Sequence, residues 1–156
     1  MRLADVYLMY AEATAVLGGA NGKSTKCSLT SVDAINKLRD RVGMAHVHEN
    51  YLSGTTYMDE VRRERAVELM FEGHRFNDLQ RWLLLTEAPY TEKYSHEFTR
   101  VHDADWYKSN DPKDAEVIGM TRSKILTRAF DTKHYWFPLP DSEVYLYEDF
   151  PQNPGW

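Results

Sequence analysis

The chain opens with RLADVYLMYAEATAVL, which falls into helical periodicity at once. Its apolar residues Leu3, Val6, Tyr7, Leu8, Met9, Tyr10, Val16 and Leu17 cover most of the circumference of such a helix. A helix that is apolar nearly all round must be covered on several sides. This segment therefore cannot be a lone surface helix, and it demands other helices around it. It starts without a capping residue or leader, so the sequence reads as a portion of a larger protein that continues before Met1.

Glycine and capping signals divide the rest of the chain. The first helix is expected over 3–17, with Gly18-Gly19 as its stop. GGANGKSTK then reads as a flexible polar loop. Its glycine spacing is not that of a phosphate-binding GxxxxGK[ST] loop, and no strand precedes it. SVDAINKLRDRVG predicts a second helix over 31–43. Thr30 and Asp33 stand at capping-box spacing, and Val32, Ile35, Leu38 and Val42 share one face. After a loop with His46 and His48, Thr56 and Asp59 are expected to cap a long third helix, MDEVRRERAVELMFEGHRFNDLQRW and onward, over 57–85. Three helices in series with short loops predict a mostly α, helical scaffold, although no internal repeat aligns.

Beyond Thr86 the periodicity fades. Residues 86–133 are expected to form a long irregular region wrapping the surface with short turns or strands of its own; such loops are often functional. TRSKILTRAF within it is a short element whose type the pattern leaves open. HYWF before Pro138 must be extended, and Asp141 or Ser142 is placed to cap a helical turn in SEVYLY. Prolines in DFPQNPGW forbid regular structure there, so 134–156 reads as an extended C-terminal arm laid back on the body.

Composition excludes several function classes. The net charge of −5, with no basic stretch interleaved with aromatics, argues against nucleic acid as a partner. Cys27 is the only cysteine, so neither an intrachain disulfide nor a cysteine metal cluster is available. No run approaches the roughly 20 apolar residues that span a bilayer. Asp5 and Glu12 interrupt what would otherwise resemble a signal peptide. Aromatic residues make up 13% of the chain, contact area suited equally to a core and to a sugar or peptide ligand. His46, His48 and Glu49 supply a metal pair at best, at a spacing that belongs to a solvated loop, and no metal or other cofactor is expected.

FEGHRFNDLQRW concentrates the chemistry of the third helix. Glu64, Glu68 and Glu72 recur every four residues and stack on one face. With His74 and Asp78 they offer candidate acid–base groups. His74 has no histidine partner one turn away for a metal, and no serine or cysteine lies beside a base. Arg65, Arg75 and Arg81 stand three residues from Glu68, Glu72 and Asp78, spacing that allows neutralisation in pairs. We therefore read Glu64, Arg65, Glu68, Glu72, His74, Arg75, Asp78 and Arg81 as a structural charge network at a helix–helix contact. A buried member stranded without its partner would cost about 3–5 kcal/mol.

RLADVYLMYAEA, NKLRDRVGM, RRERAVELMFEGHRFNDLQRW, YWFPLPDSEV and QNPGW occur in a fixed order, and together they resemble the C-terminal part of the SusD/RagB family. The resemblance runs over nearly the whole chain, with ERAVELMFEGHRFNDLQRW and QNPGW as its most specific pieces. It implies a tetratricopeptide-like helical scaffold and a non-enzymatic role. In that role the protein binds an oligo- or polysaccharide, or another nutrient, at the outer-membrane surface and delivers it to a SusC-like TonB-dependent transporter. It also implies a lipid anchor on an N-terminal cysteine, which Cys27, lying between helices, cannot be; the QNPGW end reads as a native terminus. The EGHR helix would then be scaffold.

For ligand contact, aromatic faces flanked by hydrogen-bonding side chains are the natural sugar site. Trp106 and Tyr107 with Asp105 and Asn110, and Tyr94 nearby, are the candidate ligand-binding residues, although Trp106 equally suits a plug holding the loop to the body. Trp136 and Trp156 are expected to pack beside the tail. Two further readings compete: a protein–protein scaffold with no sugar site of its own, and a glycoside hydrolase using Asp103, Asp105 and Asp111. The hydrolase would need carboxylates roughly 5–9 Å apart across a cleft, and no second motif supports it.

Overall fold

The computed structural model describes residues 2–101 and 117–156. The chain divides into two compact units, 1–76 and 77–156.

The first unit is helical. α1 spans Leu3–Gly18, α2 Ser31–Arg41 and α3 Gly54–Glu68. One side of α1 is built from Ala4, Leu8, Ala11 and Ala15, all buried. Small residues let neighbouring helices come close. Ala11 and Ala15 pack with Ala34 and Ile35 of α2 and Tyr57 and Val61 of α3, while Ala4 and Leu8 meet Leu38 and Leu69. The other side carries Leu3, Val6, Met9, Val16 and Leu17, all exposed within the described residues. The all-round apolar pattern thus resolves into one face used inside this unit and one left open by it.

The caps follow the sequence closely at α2. The Thr30 side chain accepts from the Asp33 amide at 3.2 Å, and Asp33 accepts from the Thr30 amide at 3.1 Å. α1 stops where Gly19 turns to φ 63°. The expected flexible loop is more tied down than its composition suggests. A short 3-10 turn covers Gly19–Asn21, and Lys23 bridges Thr30. The Tyr10 hydroxyl donates to the Leu29 carbonyl at 2.6 Å and accepts from the Ser24 amide at 3.1 Å.

The third helix departs from expectation. It begins after Ser53, so Thr56 and Asp59 lie inside its first turns and do not cap it. It ends at Glu68, and a new helix, α4, runs from His74 to Arg81. Between them Phe71 and Gly73 take left-handed angles, φ 65° and 81°. Gly73 adopts that conformation without steric cost, which is why the expected continuous helix over 57–85 is interrupted.

The second unit contains a hairpin inside the region expected to be irregular. β1, Glu92–Arg100, pairs antiparallel with β2, Val117–Thr127. TRSKILTRAF therefore contributes mainly to a strand. Register shifts opposite Lys93/Tyr94 and Glu97/Thr99 leave Ile125 and the Gly119–Met120 step as bulges, and Gly119 has φ 64°. After a 3-10 turn at Thr132–Tyr135 the extended segment leads to α5, a single turn at Asp141–Val144 that starts behind Pro140. Trp106, Tyr107, Asp105 and Asn110, with Asp103 and Asp111, lie outside the described residues.

Candidate ligand-binding surfaces and the buried charge network

In the first unit the glutamate stripe begins one turn earlier than the EGHR motif suggests, at Glu60. Arg39 of α2, 6% exposed, aims its guanidinium at two of its members. Its Nη2 donates to Glu60 Oε1 at 2.5 Å and to Glu64 Oε2 at 2.7 Å. Arg63 adds bonds of 2.6 and 2.7 Å to the two Glu60 oxygens. These bonds, Arg63's above all, hold the Glu60 carboxyl below the usual carboxylate range. Further along, Glu68 Oε1 accepts from Arg2 at 2.5 Å and Arg41 at 2.8 Å, and Glu72 accepts from Arg2 at 2.8 Å. Buried Arg65 reaches Asp5 of α1 at 2.8 Å.

Several of these pairs join residues far apart in sequence, where the spacing points to local i, i+3 pairs. Glu72 takes Arg2 and not Arg75, because the turn at Phe71–Gly73 breaks the helical spacing that would align them. Arg65 reaches across to α1. Both oxygens of Glu60 accept from guanidinium groups, and Glu64, Glu68 and Glu72 each accept through one oxygen, so each of these carboxylates is paired with an arginine. The pairs cross-link helices: Arg39 ties α2 to α3, and Asp5 ties α1 to α3. Local spacing does not reveal Arg2, Asp5, Arg39 and Arg41 as members. The stripe's period of four points to Glu60, whereas nothing local announces the partners.

His46 and His48 do not converge on a metal set. His46 Nε2 bonds Asp40 Oδ1 at 2.8 Å, and His48 Nδ1 accepts from the Asn50 amide at 3.2 Å. Among the described residues no group of three or more metal-ligating side chains comes together.

In the second unit Asp78, buried, accepts from Arg81 Nε at 3.0 Å, the i, i+3 pair the sequence spacing predicts. Arg81 also lies over the Trp82 ring at 4.7 Å. The C-terminal QNPGW holds the YWFPLP segment residue by residue. Gln152 donates to the Leu139 carbonyl at 2.9 Å and accepts from its amide at 2.7 Å. Asn153 donates to the Phe137 carbonyl at 2.6 Å. Trp156 Nε1 donates to the Trp136 and Lys133 carbonyls at 2.9 and 3.1 Å. Lys133 and His134 flank the indole, with Nζ 4.3 Å above it and the imidazole edge-on at 5.6 Å. Gly155 has φ 88°, and a Cβ there would sit 2.9 Å from that of Lys133.

This clasp fixes the wall of a cleft of about 840 Å³ lined by Asn77, Gln80, Arg81, Leu83, Thr132, Tyr135, Trp136 and Phe137. Gln80 donates to the Tyr135 carbonyl at 2.6 Å. Trp136 and Phe137 are 64% and 65% exposed, so Trp136 is not the packed residue its proline-rich surroundings suggest. Aromatic faces beside amide and guanidinium donors suit a sugar ring, whose C–H faces stack while its hydroxyls hydrogen-bond. Tyr94 lies elsewhere in this unit, on the hairpin, half-buried, with Arg122 stacked 3.5 Å from its ring centroid.

A family model described as the SusD family matches residues 1–156. The chain belongs to the SusD family. Two solved structures share its fold. A SusD-like protein from Bacteroides fragilis, BF3747, aligns with TM-score 0.70 and 24% identity over 100% of this chain and 25% of its own. BT4246 aligns with TM-score 0.67 and 28% identity over 100% of this chain and 23% of its own. The chain therefore spans about a quarter of the length of each SusD-family structure it matches. No curated protein matches it.

Proposed function

We propose that this chain is part of a non-catalytic glycan-binding protein that captures an oligo- or polysaccharide at the outer-membrane surface and delivers it to a SusC-like TonB-dependent transporter. The observation that carries the reading is the SusD-family match over the whole chain. The helices α1–α3 act as a tetratricopeptide-like scaffold, and their carboxylates serve as cross-links between helices. No described helix is long and apolar enough to cross a membrane, and a lipid anchor supplies the attachment. Glycan contacts come from the cleft at Trp136 and Phe137 and from the hairpin region of Tyr94 together with Asp105, Trp106, Tyr107 and Asn110.

A glycan array probed with the full-length protein tests this. Retention of at least one polysaccharide, weakened about tenfold or more by Trp136→Ala or Trp106→Ala, is expected; loss of one stacked ring removes on the order of 1–2 kcal/mol. Binding to the transporter with no affinity for any glycan would overturn the reading in favour of a protein–protein scaffold.

A further inference from the structure

One face of the hairpin gathers chemistry that glycan binding in general does not require. Directly opposed residues of an antiparallel pair share a face, as do residues two apart on one strand. Tyr94 stands opposite Lys124 and His96 opposite Arg122, so these four lie on one face with Glu92. Glu92 is fully engaged there: it accepts from the Tyr94 hydroxyl and, at 3.3 Å, from Lys124 Nζ. Two cations, Lys124 and Arg122, act on this one carboxylate, so the face carries an excess of positive charge. Arg122 is exposed, with its guanidinium carbon 3.5 Å from the Tyr94 ring centroid. After the Tyr94 and Lys124 hydrogen bonds, its charge helps hold the Glu92 carboxyl low, yet among the described residues it makes no direct hydrogen bond or ion pair with a carboxylate.

We propose that this face, centred on Arg122, binds the carboxylate of a uronic acid residue, so that the glycan captured is an acidic one. The inference rests on the glycan-binding reading above. A planar guanidinium presents two parallel N–H groups at the spacing of the two carboxylate oxygens. Stacking on Tyr94 holds that fork in place, so less side-chain freedom is lost when it meets its ligand. His96, across the strand pair, adds a second donor. The same stacking occupies a face of the Tyr94 ring that a neutral sugar would need. Tyr94 therefore acts here as the positioning residue for Arg122, and Glu92 fixes Tyr94 through its hydroxyl.

Isothermal titration of the full-length protein with polygalacturonate and with a neutral galactan, at one fixed salt concentration, tests the proposal. Polygalacturonate is expected to bind more tightly. Arg122→Gln should weaken it about tenfold or more, and Arg122→Lys should give an intermediate loss, because the charge stays while the fork is lost. Arg122 is exposed, and an unchanged melting curve of each variant shows that the loss is local. Polygalacturonate affinity indifferent to Arg122→Gln, or no greater than that for galactan, overturns the proposal. Binding of neutral glycans alone ends the uronate assignment and leaves the glycan-binding reading standing, whereas binding of neither polymer nor of any arrayed glycan ends both.

Discussion

Tyr57 is 2% exposed, and its hydroxyl meets Ser31 Oγ at 2.7 Å while Ser31 bonds the Ala11 carbonyl at 2.6 Å. One hydroxyl pair thus links α1, α2 and α3. Burial pushes the Tyr57 phenol up to about 12 from 10.0. With the folded value raised, the contribution is complete below pH 10 and is lost as pH climbs through about 12, where the unfolded chain ionises first. Tyr57→Phe should therefore cost about 1 kcal/mol near neutrality and remove that part of the alkaline decline, measured by urea unfolding across the window. Gly22 makes a second residue-scale prediction. A Cβ there would stand 1.9 Å from the Thr14 carbonyl oxygen, whereas one at Gly18 meets nothing within 4 Å. Gly22→Ala should cost on the order of 1–3 kcal/mol, with Gly18→Ala as the nearly neutral control.

Between elements, the charge network decides how the helices are joined. Arg39 is buried between two glutamates of α3, so Arg39→Met takes the close partner from buried Glu64 and leaves Glu60 to Arg63 alone; it should cost about 3 kcal/mol, read as a large drop in Tm. Replacing Arg39, Glu60 and Glu64 together by apolar residues should cost much less, since the one charge left without its partners, Arg63, is half-exposed to water. Glu72→Ala, at an exposed pair with Arg2, should leave Tm nearly unchanged. Helix starts and stops are legible where local chemistry sets them: the Thr30–Asp33 box and the Gly18-Gly19 stop are as the sequence predicts. The break at Phe71–Gly73 is signalled by Gly73, but the apolar periodicity on either side outweighs that single glycine. β1 and β2 are hard to see because a two-stranded ribbon exposed on both faces lacks the polar–apolar alternation that marks a half-buried strand. The partners of the glutamates are illegible for a different reason: Asp5 and Arg65 are 60 residues apart, and spacing arguments reach only one or two helical turns. The QNPGW clasp is legible as a motif but not as geometry. Trp156→Ala should raise amide exchange across Lys133–Leu139 while leaving α1–α3 unaffected, because the bonds it removes lie within the second unit.

For the whole molecule, the chain is a member of the SusD family that spans about a quarter of each solved structure it matches. Its helical unit offers carboxylates bound by arginines, and its second unit offers a cleft and a hairpin face suited to sugar. In the helical unit charged side chains join helices, and the cleft of the second unit is lined by aromatic, amide and guanidinium groups. The most direct measurement is to incubate the full-length protein with a polysaccharide it retains and follow polymer length by size-exclusion chromatography. Polymer recovered at its original length with protein bound to it is the expected result; accumulation of shorter oligosaccharides would overturn the proposed non-catalytic role.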